Sequence, residues 1–466
     1  MNLWSHLPRP VLSLVLLGLA GGTRAEDFPP PLPFDPPIAQ RTHLLRSLTL
    51  LQSSTAENPQ TVRVLFYGQS ITEQAWWRRV ADYLHTTYPT ARLQIENRAI
   101  GGHSSQLLVK TAEADLYPFQ PDLLIFHVYG AHDRYEDILR RVRERTTADI
   151  LLQTDHVTRP EMLTEETHPE KLTPKNWDAW MNYSFLPGVA AKYGACRADV
   201  HDLWKRHLRD TQLTPADFLK DGVHLNARGE FLMAELLQPY LAPLPAELAR
   251  TEQPFADERV QSLRWTATAG LARGEFHGTR LEVRPAAGQT WQVRIDGRSP
   301  VALPGAVGFS RTRAFPQSNW PMLLSVGAEA ALVPETWTLT LDEISADGHR
   351  VNFHLHGSVT GDDGSGCSTN RFVSPSHRVV LDPADWNLAY CYRVFHRTLP
   401  ANTTLTWAAE FRGVETITTA APAGVAEAGW VTVVQGLSNG PHTVELSGVA
   451  GGPVAARSYR PPRRAE

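Results

Sequence analysis

The sequence predicts an α/β domain built on a parallel sheet, followed by a β-rich region. Three observations carry this reading. From Val62 to about residue 240, short apolar β-branched runs alternate with segments of helical period. Pro243–Arg250 then breaks the helical pattern. From about Arg264 the texture changes to short β runs punctuated by turn residues. Alternating strands and helices argue for a parallel sheet covered on both faces. At 466 residues the chain is too long for one ordinary domain, and two or three are expected.

The first 25 residues read as a secretory signal. His6 and Arg9 open it, Val11–Ala20 is its apolar core, and Thr23-Arg24-Ala25 is an acceptable cleavage site. The apolar run is short for a bilayer span, and no other stretch qualifies. The expected location is therefore secreted or periplasmic. Residues 26–60 form a proline-rich linker and N-terminal segment, in which His43–Leu51 is apolar enough to dock on something.

Residues 61–245 carry the α/β pattern. Strands are expected at 62–67, 93–98, 122–129, 149–154 and 197–202. Helices are expected at 72–86, 104–114, 134–146, 178–193 and 227–240. The first helix shows the logic: Trp77, Val80, Ala81 and Leu84 fall on one face. Between Asp155 and Asp178 lies a polar, proline-containing insertion, a candidate lid or substrate wall. Residues 250–460 read as one or two β-sandwich units.

Hydrophobic content of 42% and charge of 20% fit a soluble globular protein. A net charge of −4 points to neither nucleic acid nor an anionic membrane surface. The 13 tryptophans are many for this length; on an exported chain some suit sugar stacking, though most belong in a core. Of the three cysteines, Cys367 and Cys391 could pair in an oxidising compartment, leaving Cys196 as a buried thiol.

Chemistry collects where the expected strands end. In open parallel sheets ligands bind beyond the carboxyl ends of the strands. Ser70, in Gly68-Gln69-Ser70-Ile71-Thr72, follows the first strand and opens a helix. By itself it could simply cap that helix. Gly101-Gly102, closing Asn97–Gly102, and Gly130-Ala131-His132-Asp133 lie at two further strand ends. Asp221-Gly222-Val223-His224 precedes the last helix.

In this order on an α/β pattern, the four blocks resemble the SGNH (GDSL-like) hydrolases, over roughly residues 60–243. The run Asp221–Gly229 is the most specific match. The resemblance implies a three-layer α/β/α, flavodoxin-like esterase fold. It also implies Ser70 as nucleophile, His224 as general base and Asp221 as the acid orienting it. The oxyanion hole would use the backbone of Ser70 and Gly102. Two departures stand out. Gln69 replaces the Asp of many members, as in carbohydrate acetylesterases, and His132 stands where the family has its oxyanion-hole asparagine. A neutral imidazole donates one hydrogen bond, so His132 is a candidate third donor.

The physical logic stands beside the resemblance. A serine hydroxyl needs an adjacent base. Histidine titrates in the right range, and a carboxylate fixes its tautomer. Asp221 and His224 are three positions apart, so one turn can bring both to the rim. His103, His127, His132 and His156 carry no metal-binding spacing, and neither metal nor cofactor is called for. Asp362-Asp363-Gly364 reads as a turn rather than a cation loop.

In the β region, Gly274–Thr279 followed by Trp291–Gly297 resembles the jelly-roll modules attached to bacterial carbohydrate esterases. The expected activity is removal of O-acetyl, or other small acyl, groups from an oligo- or polysaccharide. An acyltransferase using the same triad is one alternative. A non-catalytic glycan-binding protein keeping the fold is another.

Overall fold

The computed structural model describes residues 28–246, 248, 259–268, 270–285, 290–418, 429–448 and 455–462. The expected signal segment, 1–25, lies outside them. Five parallel strands, β1 (Thr61–Gly68), β2 (Arg92–Asn97), β3 (Leu123–His127), β4 (Asp149–Gln153) and β5 (Cys196–Ala198), form one sheet. Its order is β2-β1-β3-β4-β5, the flavodoxin-like arrangement.

Both faces of this sheet are covered, and the side-chain alternation shows it. Along β1, Val62, Val64 and Phe66 enter one apolar cluster with Trp76, Val80 and Leu84 of the following helix. Leu65 and Tyr67 enter the other, with Leu108 and Ala112. Burying one such side chain contributes about 1.5–3 kcal/mol. The Tyr67 hydroxyl, sealed inside, donates to the Leu108 carbonyl at 2.8 Å.

The helices flanking the sheet follow the expected order: Trp76–Thr87, Ser105–Asp115, His132–Arg145, a run from Trp177 to Tyr193, and Ala227–Leu237. One element differs. The strand expected at 197–202 stops at Ala198, and Val200–Thr211 is a helix burying Val200, Trp204 and Leu208. The segment at 43–51 does dock. Helix Leu45–Gln52 lies at the amino ends of β3 and β4. There Arg46 donates to Asp122 at 2.5 Å, and the Ser47 amide donates to Asp149 at 2.7 Å.

The C-terminal half is antiparallel. One sheet holds five strands in the order Val307–Phe309, Thr403–Phe411, Glu335–Ile344, Val351–Gly357 and Gly361–Cys367. A larger sheet is built on two long paired strands, Leu271–Arg284 and Val431–Ser447. Helix Leu388–Phe395 sits between the strand runs. The larger sheet has its own core around Leu281, Trp291, Ile295 and Val444. The five-stranded sheet does not. Trp337, Leu339 and Leu355 belong to the same apolar cluster as Leu65 and Leu108, so one core runs through both halves.

The cysteine pairing is corrected by the structure: all three cysteines are free thiols. Cys391 is buried on the helix Leu388–Phe395, whereas Cys367 ends an edge strand with its sulfur 3.2 Å from the Thr369 hydroxyl. Among the described residues, no helix is long and apolar enough to cross a membrane.

Candidate active site

β1 ends at Gly68, where a side chain has no room. A Cβ there would lie 2.2 Å from the His127 carbonyl oxygen and 2.4 Å from the Thr72 hydroxyl. This close approach lets the chain turn at once, and Ser70 becomes the first residue of a one-turn helix, Ser70–Glu73. A first-turn amide has no acceptor within its helix, so the Ser70 N–H remains available at the rim.

His224 reaches Ser70 from a loop 154 residues away. Its Nε2 lies 2.9 Å from the Ser70 hydroxyl oxygen. Its Nδ1 lies 2.9 Å from one Asp221 carboxylate oxygen and 3.2 Å from the other. A carboxylate only accepts, so Nδ1 carries the proton and Nε2 offers its lone pair to the serine. The Asp221 carboxylate also accepts the His224 amide at 2.7 Å and the Val223 amide at 2.9 Å. These two amides, ahead of the imidazole, hold its pKa down at about 2.

Two side chains align this loop with the serine: Gln74, which the sequence reading did not single out, and His156, weighed there only as a metal ligand. Gln74 donates to the Leu225 carbonyl at 2.7 Å and accepts the Leu225 amide at 3.0 Å, clamping the residue after His224. His156 donates from Nε2 to the Val223 carbonyl at 2.7 Å. Burial pushes the His156 pKa down to about 4, so the ring is neutral. Asn226 caps the last helix by accepting the Gly229 amide at 3.1 Å. Gln74 lies four residues after Ser70, a spacing that marks a helical neighbour; nothing in the pattern links it to position 225.

The block after β2 forms the facing wall. Asn97 accepts the Ala99 amide at 2.9 Å and donates to the Thr72 carbonyl at 2.7 Å, tying this block to the serine turn. Ile100–His103 is a β-turn closed by the His103 amide on the Ile100 carbonyl at 3.2 Å. Gly102 has φ +73, the left-handed region that favours glycine. A Cβ on it would also lie 2.4 Å from the Trp320 ring. The Gly101 amide donates to Glu73 at 3.1 Å. Among the described residues, no acceptor engages the Gly102 amide.

The C-terminal half stands directly on this turn. Asn319 donates to Glu73 at 2.7 Å and to the Ala99 carbonyl at 3.2 Å. The Tyr390 hydroxyl donates to the Gly102 carbonyl at 3.0 Å. Trp320 packs edge-on against His103, with ring centres 4.7 Å apart.

His132 opens the helix His132–Arg145. Its ring is enclosed by Trp180 and Phe185, each at 4.5 Å between ring centres, with Trp177 at 6.1 Å. Its buried Nε2 has no hydrogen-bond partner among the described residues, and burial lowers its pKa. The insertion after β4 supplies Trp177 at its end, and the helical run that follows supplies Trp180 and Phe185; Glu165 of the insertion accepts from His201 and Lys205, both at 2.6 Å. The other histidines share no site. His127 lies 2.9 Å from Asp155, off the line of a hydrogen bond. Among the described residues, no three His, Cys, Asp or Glu side chains converge as a metal site would require.

No family model matches the chain, and no curated protein matches it. Among solved structures it is similar to Axe2, an acetylxylan esterase from Geobacillus stearothermophilus. That match has 18% identity, covers 39% of this chain and 94% of that one, and has a TM-score of 0.32. A second is LAE5, an alpha/beta hydrolase enzyme from the metagenome of Lake Arreo, Spain, at 17% identity, 40% and 97% coverage, and a TM-score of 0.32. A third is CEX, a two-domain esterase active on acetylated mannans, at 14% identity, 91% and 96% coverage, and a TM-score of 0.34. Two of these three are named for acetylated glycans.

Proposed function

We propose that the chain is a serine esterase that removes O-acetyl, or other small acyl, groups from a carbohydrate. The observation that carries this reading is the line Ser70 hydroxyl, His224 Nε2, His224 Nδ1, Asp221 carboxylate, with both gaps at 2.9 Å. His224 takes the hydroxyl proton as Ser70 attacks the ester carbonyl. The oxyanion that forms is received by the N–H groups of Ser70 and Gly102, and one such donor is worth roughly 3–4 kcal/mol. The proton on His224 passes to the departing sugar oxygen, leaving an acyl-serine. A water molecule, deprotonated by the same histidine, then releases the acid and restores Ser70.

Residues 61–245 supply this machinery in the proposal, and residues 250–460 wall it from the side of Gly102. Support for the wall comes from the contacts of Asn319, Trp320 and Tyr390. Export by the segment 1–25 is part of the same proposal.

The test measures acetate release from an aryl acetate and from acetylated xylan and mannan, the glycan classes for which the solved neighbours are named. Ser70→Ala should lower turnover by roughly 10⁴–10⁶-fold. A fluorophosphonate probe should label Ser70 alone. Near wild-type hydrolysis by Ser70→Ala would end the proposal.

A further inference from the structure

We infer that His103 is a positioning residue: its Nδ1–H holds the Gly101 carbonyl and thereby aims the Gly102 amide at the oxyanion. This inference rests on the reading of Gly102 as an oxyanion donor. The Gly101 carbonyl and the Gly102 N–H belong to one peptide plane, and in a trans peptide they point in opposite directions. That plane is the central peptide of the turn Ile100–His103. Type I and type II turns differ mainly by a flip of this peptide. Positive φ at Gly102, without positive φ at Gly101, is the type II arrangement. With glycine at both central positions, sterics alone leave either orientation open. A hydrogen bond must therefore choose between them.

His103 Nδ1 lies 3.2 Å from the Gly101 carbonyl oxygen and makes that choice. The proton's place on the ring is set from the other side. Asn387 Nδ2 donates to the Pro321 carbonyl at 3.0 Å, which fixes which end of its amide carries hydrogen. The same Nδ2 faces His103 Nε2 at 3.4 Å, so Nε2 accepts and Nδ1 is the protonated atom. The ring is fully buried and stands edge-on to Trp320. Burial lowers its pKa to about 4, so it does not become a cation at neutral pH. A donor on the carbonyl also polarises the peptide and strengthens the N–H at its far end. The relay thus runs from Asn387 in the C-terminal half, through His103 and the Gly101–Gly102 peptide, to the proposed oxyanion.

The test sets the donor against the shape of the ring. His103→Phe keeps a ring against Trp320 and loses the donor. His103→Asn loses the ring and places an amide N–H near the position of Nδ1. Aiming predicts that His103→Phe lowers kcat on an aryl acetate by about 10–100-fold with little change in KM, while His103→Asn recovers most of the loss. A packing role predicts the opposite order, and that order would overturn the inference.

A second measurement needs no folded variant beyond an assignment control. Long-range ¹⁵N–¹H correlation spectra of the wild-type protein report each imidazole tautomer, and the His103 resonance is identified by its loss in His103→Asn. The Nδ1–H form is expected, and an Nε2–H form would overturn the inference even if His103→Phe failed to fold. Ser70→Ala, measured alongside, separates the two levels. If it is inactive, the serine reading stands and the Phe/Asn order alone decides the role of His103. If it stays active, the serine reading falls and this inference falls with it.

Discussion

Replacing Asp221 by asparagine changes one atom and should cost most of the activity. In the native loop one Asp221 oxygen is pinned by two backbone amides, at 2.7 and 2.9 Å, and the other lies 2.9 Å from His224 Nδ1. An asparagine has a single acceptor, and the two amides claim it. Its NH₂ group must then face Nδ1. Turning the amide over would press NH₂ against two N–H groups and forfeit both hydrogen bonds. His224 instead shifts its proton to Nε2, where it points at Ser70 and removes the base. The same wrong-tautomer substitution in a serine protease triad lowers kcat by about 10⁴. A loss of about 10³–10⁴-fold is therefore expected on an aryl acetate, with KM little changed.

Asp221→Ala, which leaves Nδ1 free to bond water, should be no worse than Asp221→Asn. An asparagine variant within tenfold of wild type, or far better than alanine, would refute the tautomer argument. The same contacts set an acid limit. The Asp221 pKa is depressed to about 2, chiefly by the His224 amide. A depressed carboxylate stabilises the fold above its unfolded pKa and loses that contribution as pH falls through the folded value. The gap in Tm between wild type and Asp221→Asn should hold above about pH 4 and close between about pH 4 and pH 2. A gap that persists at pH 2 would show that the carboxylate charge is not what holds the loop.

Three further outcomes are expected. Gln74→Leu strands the amide and carbonyl of buried Leu225, so stability should fall by about 2 kcal/mol and kcat by about 10–100-fold. Unchanged denaturation and kinetics would mean that the loop is held without Gln74. His132→Phe should keep turnover within about threefold of wild type, since a phenyl ring suits the cage of Trp180 and Phe185; a loss of the 10²–10³-fold expected for a missing oxyanion donor would restore His132 to that role. A chain ending at residue 245 should be insoluble or bind hydrophobic dyes, because Leu65, Leu108 and Trp337 share one core. A soluble truncation with cooperative melting and wild-type turnover on aryl acetate would show the halves to be independent.

The α/β half was legible because its signals are local. Val62–Tyr67 and the Trp77/Val80/Leu84 face each declare a period within a dozen residues, and the structure places β1 and its helix there. The helix Val200–Thr211 was misread because Arg197–Asp202 alternates polar and apolar residues like a strand. Its helical face includes the buried polar groups His201 and Lys205, whose partners Glu165, Asp155 and Tyr183 lie far back along the chain. Three of the four motif blocks were legible as residue types at strand ends and the fourth as a loop before a helix, and the distances between Ser70, His224 and Asp221 are what such types need. Glu73, Gln74 and Asn319 were not legible. Their roles depend on partners far along the chain, and no spacing rule links position 73 to position 319. His103 was weighed only as a possible metal ligand, since the carbonyl it holds becomes visible only once the turn is formed.

The hold of the C-terminal half on the Gly101–His103 turn bears on when the protein becomes competent. Asn319 and Glu73 are 246 positions apart, Asn387 and His103 are 284, and Tyr390 and Gly102 are 288. Contacts of such separation close late, because the intervening chain must first be ordered. A chain emerging from synthesis would carry Ser70, Asp221 and His224 long before the residues of the far clamp arrive. Hydrolysis would then begin only when nearly the whole polypeptide is in place. On refolding from denaturant, esterase activity should return after the far-UV signal of the sheets and helices. Simultaneous return would show that the turn sets itself.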